Sequence, residues 1–202
     1  MKAIKVDLYK EHRAEYVTPR EPVFVSIGPA KYLTLVGQGS PKGEKFAAAI
    51  SALYSVAFAL KMAEKFAGHD YKVCHLEGQW WTDGGSDWQT TKPEDWHWRL
   101  LIRVPEFISE KELWVAIKTV VAKGKGGALV HEVKLETLEE GRCVQVLHIG
   151  PYSAEKPTLD KMNQLSASNG LHFRGPHHEI YLSDPRRVPE TRLRTILRHP
   201  VQ

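Results

Sequence analysis

Cysteine is scarce in this 202-residue chain. Cys74 and Cys143 are too few and too isolated for a disulfide framework or a zinc site, and both are expected as reduced core residues. No uninterrupted apolar run reaches the ~18 residues that a membrane span needs. The opening MKAIKVDLYKEH lacks the apolar segment of a secretory signal, so a cytoplasmic location is expected. Glycine-rich phosphate cradles are missing too. GQGSPKG, from Gly37 to Gly43, holds three glycines but matches neither GxGxxG nor the P-loop. It reads as a turn before a helix. No GxSxG elbow supports a serine nucleophile, and HHEIY lacks the HExxH spacing of a metalloprotease.

What is present is an ordinary globular composition, 42% hydrophobic and 26% charged, with a net charge of +4. Part of that charge lies in Arg186, Arg187, Arg192, Arg194 and Arg198, which read as the solvated face of a short basic helix over 189–198. Lys31 to Val36 alternates like a strand. Glu44 to Phe66 carries Phe46, Ile50, Leu53, Ala57 and Leu60 at helical spacing, with Gly68 as its stop. Tyr71–Trp81 and Trp96–Val104 read as strands, joined by a long turn-rich loop. Ser109 and Glu112 form a capping-box pattern ahead of a second helix. Leu129–Leu135 and Arg142–Ile149 are expected strands, Pro157–Ser168 a helix, and HHEIYLSD a last strand. Helices among antiparallel-looking strands indicate an α+β fold, one antiparallel sheet with helices on one face and a concave ligand cleft on the other.

The halves echo each other. KYLTLVGQGS and CVQVLHIGPYS are each a strand, a glycine and a loop before a helix. Each helix leads to a strand with a central Glu, LEGQWW and HHEIY. Two strand-helix-strand-strand modules, about 22–105 and 106–185, are therefore expected within a single domain spanning 1–202. Strand alternation puts His177 and Tyr181 on the face of Glu179, with Ile180 and Leu182 opposite as core. It puts Gln79 and Trp81 on the face of Glu77. Both carboxylates are expected to face one ligand surface, flanked by Tyr152, Tyr181, Trp81 and one of Trp88, Trp96 or Trp98. His177 and His178 alternate across the strand and do not readily share one ion, and no full ligand set accompanies them. Neither a metal nor a cofactor is expected.

LEGQWW, IRVPEF, GPY and HHEIYLSDPRR, taken in that order, resemble standalone members of the GyrI-like small-molecule-binding family, from about residue 20 to the end. The resemblance implies a two-module fold with a central cleft, in which a Glu matched by Glu179 meets cationic or polar ligands and aromatic residues stack on them. It also implies a possible activity. Standalone members sharing the WW and HHEIY features hydrolyse cyclopropane-bearing (cyclopropanoid) DNA-alkylating compounds, a detoxification. Other members sense drugs or resemble a gyrase inhibitor.

For hydrolysis, Glu179 would be the base, since a carboxylate in a partly dry aromatic pocket gains basicity. Tyr152 would orient water or steady a developing oxyanion. Glu77, Trp81, Tyr181, His177, Gln79, Trp88 and Trp96 would contact the ligand, and Glu77 remains an alternative acid or base. The competing functions are a non-catalytic binder of aromatic or cationic drugs and a gyrase-binding module. The expected partner is an aromatic small molecule, with no membrane and no direct DNA contact.

Overall fold

Residues 44–66 form one helix because their apolar positions recur every three or four residues and no glycine or proline interrupts them. The computed structural model, which describes residues 5–85 and 91–202, shows this element as α2 (Glu44–Phe66), after a single-turn α1 (Leu8–Glu11). Phe46, Ala49, Ala52, Leu53, Val56, Ala57 and Leu60 form its buried stripe. Its interior is long and apolar enough, by length and composition, to cross a membrane. That differs from the run-length expectation, and the small residues explain it. The charges lie at the two ends, and the serines and alanines between them are not hydrophobic enough to catch the eye. The buried stripe identifies α2 as a core helix.

The remaining elements are β1 (Val23–Ile27), β2 (Ala30–Gln38), β3 (Glu77–Trp81), β4 (His97–Arg103), α3 (Glu110–Ala122), β5 (Lys134–Leu138), β6 (Gly141–Ile149), α4 (Lys156–Ser168), β7 (His177–Tyr181) and β8 (Arg194–Pro200). The fold is α+β, and the strands are hydrogen-bonded in the order β1-β6-β8-β7-β3-β4-β2-β5. That order reads the same from either end when β1–β4 are exchanged for β5–β8, so the repeat in the sequence is a repeat of topology. Each copy has four strands, with the helix between its second and third.

The polypeptide clusters into two compact units. The first contains Ala30–Cys74 and Trp80–Leu138 together with residues 5–11. In it β2 pairs with β4 on one side (Leu35 opposite Leu100) and with β5 on the other (Leu33 opposite Leu135). Gly37 stands opposite Trp98, and a Cβ there would come within 2.3 Å of the buried indole ring. This glycine lets a tryptophan lie flat on the strand; it cradles no phosphate. The expected capping box is formed, with Ser109 N donating to Glu112 Oε2 at 3.0 Å and Lys111 N to the Ser109 hydroxyl.

The second unit contains His12–Pro29, His75–Gln79 and Glu139–Gln202. Here β6 pairs with β1 and β8, and β8 with β7. The division does not fall at residue 105, because β1 finds its partner in β6 and β5 finds its partner in β2.

Three local expectations change. Residues 129–132 belong to a 3-10 turn, and the strand begins at Lys134. Of YKVCHLEGQWW, only Glu77–Trp81 is a strand, with Tyr71 forming an isolated bridge to Val6. The expected basic helix over 189–198 is a brief 3-10 turn followed by β8. A strand that fills the gap between β6 and β7 satisfies both neighbours' backbone groups.

Candidate active site

Glu179 lies on the same side of its strand as α4. Tyr181 and His148 both stand opposite Thr195 of β8, so these three residues share a face, and alternation adds His177 and Glu179. His148 Nδ1 on that face is 3.0 Å from the Thr158 hydroxyl of α4. Ile180 and Leu182 had been expected to face the helix. The assumption behind that fails because His177 through Ile180 are all buried, so hydrophobicity does not tell the two faces apart.

A residue that the motif reading passed over completes the site. β6 ends in Gly150-Pro151, a 3-10 turn spans Tyr152–Ala154, and Glu155 occupies the N-cap of α4. An N-cap side chain ordinarily accepts a hydrogen bond from its own helix. Glu155 makes no such bond. It is 2% exposed, and Oε1 has no hydrogen-bond partner. The Glu155 and Glu179 carboxyls and the His177 ring bring one polar atom each to within 4.8 Å of one another, and His177 Nε2 is 3.6 Å from Glu179 Oε1. Burial, and then the neighbouring Glu179, holds the Glu155 carboxyl well above the usual carboxylate range. Glu155 therefore holds its proton more tightly than a solvated carboxyl does, and a second carboxyl stands beside it. A spacing cue was available, since it sits just after GPYSA, where the chain turns from strand into helix.

Tyr152, three residues before Glu155, packs against Tyr181 of the same strand face as Glu179. Its ring meets that of Tyr181 edge-on at 5.8 Å, and it is about one-third exposed. Burial, then Glu179 and Glu155, pushes its phenol up to about 12, so the hydroxyl keeps its proton at neutral pH. Behind His177 stands His199, stacked on Phe173 at 4.1 Å and held down to about 3 by burial and by His177. Tyr152, Glu155, His177, Glu179 and Tyr181 thus make one cluster. It can activate water at a carboxylate, supply a proton from a buried acid and donate a hydrogen bond from a phenol.

Glu77 does not join it. It is fully buried, accepts from the Tyr16 hydroxyl at 3.4 Å and lies 3.0 Å from His178 Nε2. His178 and Glu179 are successive residues of a strand, so their side chains leave by opposite faces. The expectation that Glu77 and Glu179 share one surface is therefore not met; the carboxyl beside Glu179 is Glu155. His178 Nδ1 continues to Glu140 Oε1 at 2.9 Å. Arg198 donates from Nη1 to Glu140 (3.0 Å) and from Nε to Gln145 (2.7 Å). Arg198, one of the arginines expected on a solvated face, is 1% exposed. Gln79, also buried, follows Glu77 along β3.

The aromatic candidates Trp81 and Trp96 belong to the first unit. Trp81 stacks on His97 at 5.7 Å. Trp96 meets Trp80 edge-on at 6.1 Å and donates from its indole N–H to Thr91 O. Trp80, not singled out from the sequence, packs on Phe46 of α2 at 5.4 Å. Trp88 lies outside the described residues.

The Glu155–His177–Glu179 group offers three donor atoms, and no fourth His, Cys, Asp or Glu joins it among the described residues. A closed structural metal site uses four protein ligands, so this group is not one; three donors are the number that an open catalytic metal site takes.

Three solved structures from Listeria innocua share this architecture over 98% of the chain and 100% of their own length. One, an uncharacterized conserved protein, is 36% identical with a TM-score of 0.90. Two described as hydrolases are each 34% identical, with TM-scores of 0.87 and 0.89. No curated protein matches the sequence. The family model for the GyrI-like small molecule binding domain matches residues 20–202, and the chain belongs to that family.

Proposed function

We propose that this GyrI-like protein is a cytoplasmic hydrolase of activated cyclopropane-containing (cyclopropanoid) genotoxins. The observation that carries the proposal is the Glu179 carboxyl, within 4.8 Å of the buried Glu155 carboxyl and the His177 ring and on the strand face of Tyr181, whose ring meets that of Tyr152. Similarity to two relatives described as hydrolases supports the class of reaction. Two buried free cysteines fit a reducing compartment.

In the proposed step, Glu179 takes a proton from water as its oxygen attacks the cyclopropane methylene. The strained C–C bond breaks, and its electron pair moves into the conjugated ring. The dienone oxygen becomes a phenolate, which receives a hydrogen bond from Tyr152 and then a proton. Water is consumed, and no oxidant or reductant is required.

The test is turnover of a spirocyclopropyl cyclohexadienone probe by purified protein, followed by chromatography. Ring-opened alcohol is expected from wild type. In Glu179→Gln, kcat should fall about 100-fold or more while probe binding is retained. Equal rates in the two proteins would reject Glu179 as base.

A second reading is favoured by the same buried carboxyl pair, since among the described residues the ion pairs give it no Lys or Arg partner. The site would then hold an aromatic cation without chemistry. Glu179→Gln would weaken tryptophan-quenching titrations with such cations, and the probe would not be opened.

A further inference from the structure

A buried carboxyl at a helix N-terminus ordinarily caps the helix or meets a cation. Among the described residues Glu155 does neither: its buried Oε1 has no hydrogen-bond partner, and a carboxyl oxygen of Glu155 lies within 4.8 Å of polar atoms of Glu179 and His177. The location makes this notable. Turning from the free amide groups of α4 toward another carboxyl replaces an attraction with a repulsion unless a proton stands between the two groups.

We propose that Glu155 is the proton-sharing partner of Glu179: a positioning residue whose carboxyl proton bridges the pair, leaving one Glu179 oxygen free to receive the attacking water. The shared proton is argued from two buried carboxyls that approach within 4.8 Å and from the lack of a side-chain cap bond at Glu155. Its catalytic use rests on the hydrolytic reading above. The pair is productive when singly protonated, with Glu155 as donor and Glu179 as acceptor. Double protonation leaves no base, and double ionisation places two like charges in a buried space.

The surrounding groups leave the proton where it is. His177 and Glu179 face Glu155 from β7, Tyr152 from the preceding turn, and His199 stands behind His177 on β8. On β6, His148 is engaged by Thr158 and by the Pro151 carbonyl. The nearest lysine along the chain, Lys156, is held by Asp160 at 2.8 Å on the exposed side of α4. Asp184, which also acts on Tyr152, is occupied by Arg186 and Arg187.

Carbon-13 NMR titration of glutamate-labelled protein tests the bridge without any substrate. Wild type should show one carboxyl that titrates well above its neighbours. That signal should vanish in Glu155→Gln and move toward the ordinary carboxylate range in Glu179→Gln. Its survival in Glu155→Gln, or its absence from folded wild type, overturns the proposal. So does stoichiometric binding of Zn²⁺ or Mn²⁺ that ionises both groups.

The catalytic arm uses the spirocyclopropyl probe. Wild type should give a bell-shaped pH–rate profile. Glu155→Gln, which keeps a hydrogen-bond donor but cannot ionise, should lose the high-pH limb of that profile. Glu155→Ala should lose about 100-fold in kcat with little change in KM. An unchanged profile in Glu155→Gln overturns the positioning role. A shared proton seen by NMR in a protein that never opens the probe rejects the hydrolytic reading and leaves the bridge standing.

Discussion

Glu140→Gln is expected to weaken the fold severely while leaving its shape almost unaltered. Glu140 is buried between His178 and Arg198, with bonds of 2.9 and 3.0 Å. Burial would raise its pKa, but His178 and then Arg198 hold it down to about 2 from 4.5. At ~1.36 kcal/mol per unit, this pairing contributes about 3 kcal/mol. His178, which burial alone would lower, is raised to about 9 by Glu140 and Glu77. Both displacements describe one interaction and are counted once.

Removing a single partner strands the remaining buried charge, which costs about 3–5 kcal/mol. For a chain of this length, the lower figure corresponds to a fall in Tm of about 6–12 °C. The assay is urea unfolding followed by tryptophan fluorescence across pH, since urea leaves ion pairs unscreened. Glu140 is depressed in the folded state, so its contribution is complete above pH 4.5 and is lost as pH falls toward 2. His178 is raised, so its contribution is complete below pH 6.5 and is lost as pH rises through about 9. The gap between wild type and variant should therefore be widest from about pH 4.5 to 6.5 and narrow on either side. A gap below about 1 kcal/mol, or one that does not vary between pH 5 and 9, would refute the reasoning.

Gly37→Ala drives a methyl group into the Trp98 ring and should cost about 1–3 kcal/mol, with a changed near-ultraviolet circular dichroism band; an unshifted melting curve counts against the close approach. Ser109→Ala removes the capping box of α3 and should cost about 1 kcal/mol in urea, whereas Ser109→Asp should retain most of the stability. Tyr152→Phe should lower kcat on the spirocyclopropyl probe about 100-fold with KM nearly unchanged, the mark of a hydrogen bond made in the transition state.

Local chemistry was legible along the chain. α2, α3 and α4 lie where periodicity, the Ser109–Glu112 box and the glycine stops put them, because those signals act within one or two turns of backbone. The repeat was legible too, and followed to its end it places β8. A copy of β4 must follow HHEIY, and Arg194–Pro200 is the strand there. Basic composition obscured it, since nothing local reveals that Arg198 will meet Glu140 and Gln145.

Which face of a strand carries the site was decided only by the tertiary structure. Alternation pairs Glu179 with His177 and Tyr181 from the sequence alone. It says nothing about which side α4 will cover when both sides are buried. Glu77 and Glu155 exchange roles for the same reason. Glu77 looks like the symmetry mate of Glu179 but is drawn to His178 by a charge contributed from Glu140, sixty-odd residues further along the chain. Glu155, ahead of a helix and outside every strand motif, reaches Glu179 because the turn after Gly150 sets the start of α4 against β7. Sequence determines what each segment prefers to be. Partners distant along the chain, meeting in a dry interior where an unpaired charge is costly, determine which carboxyl keeps a proton and which keeps a salt bridge.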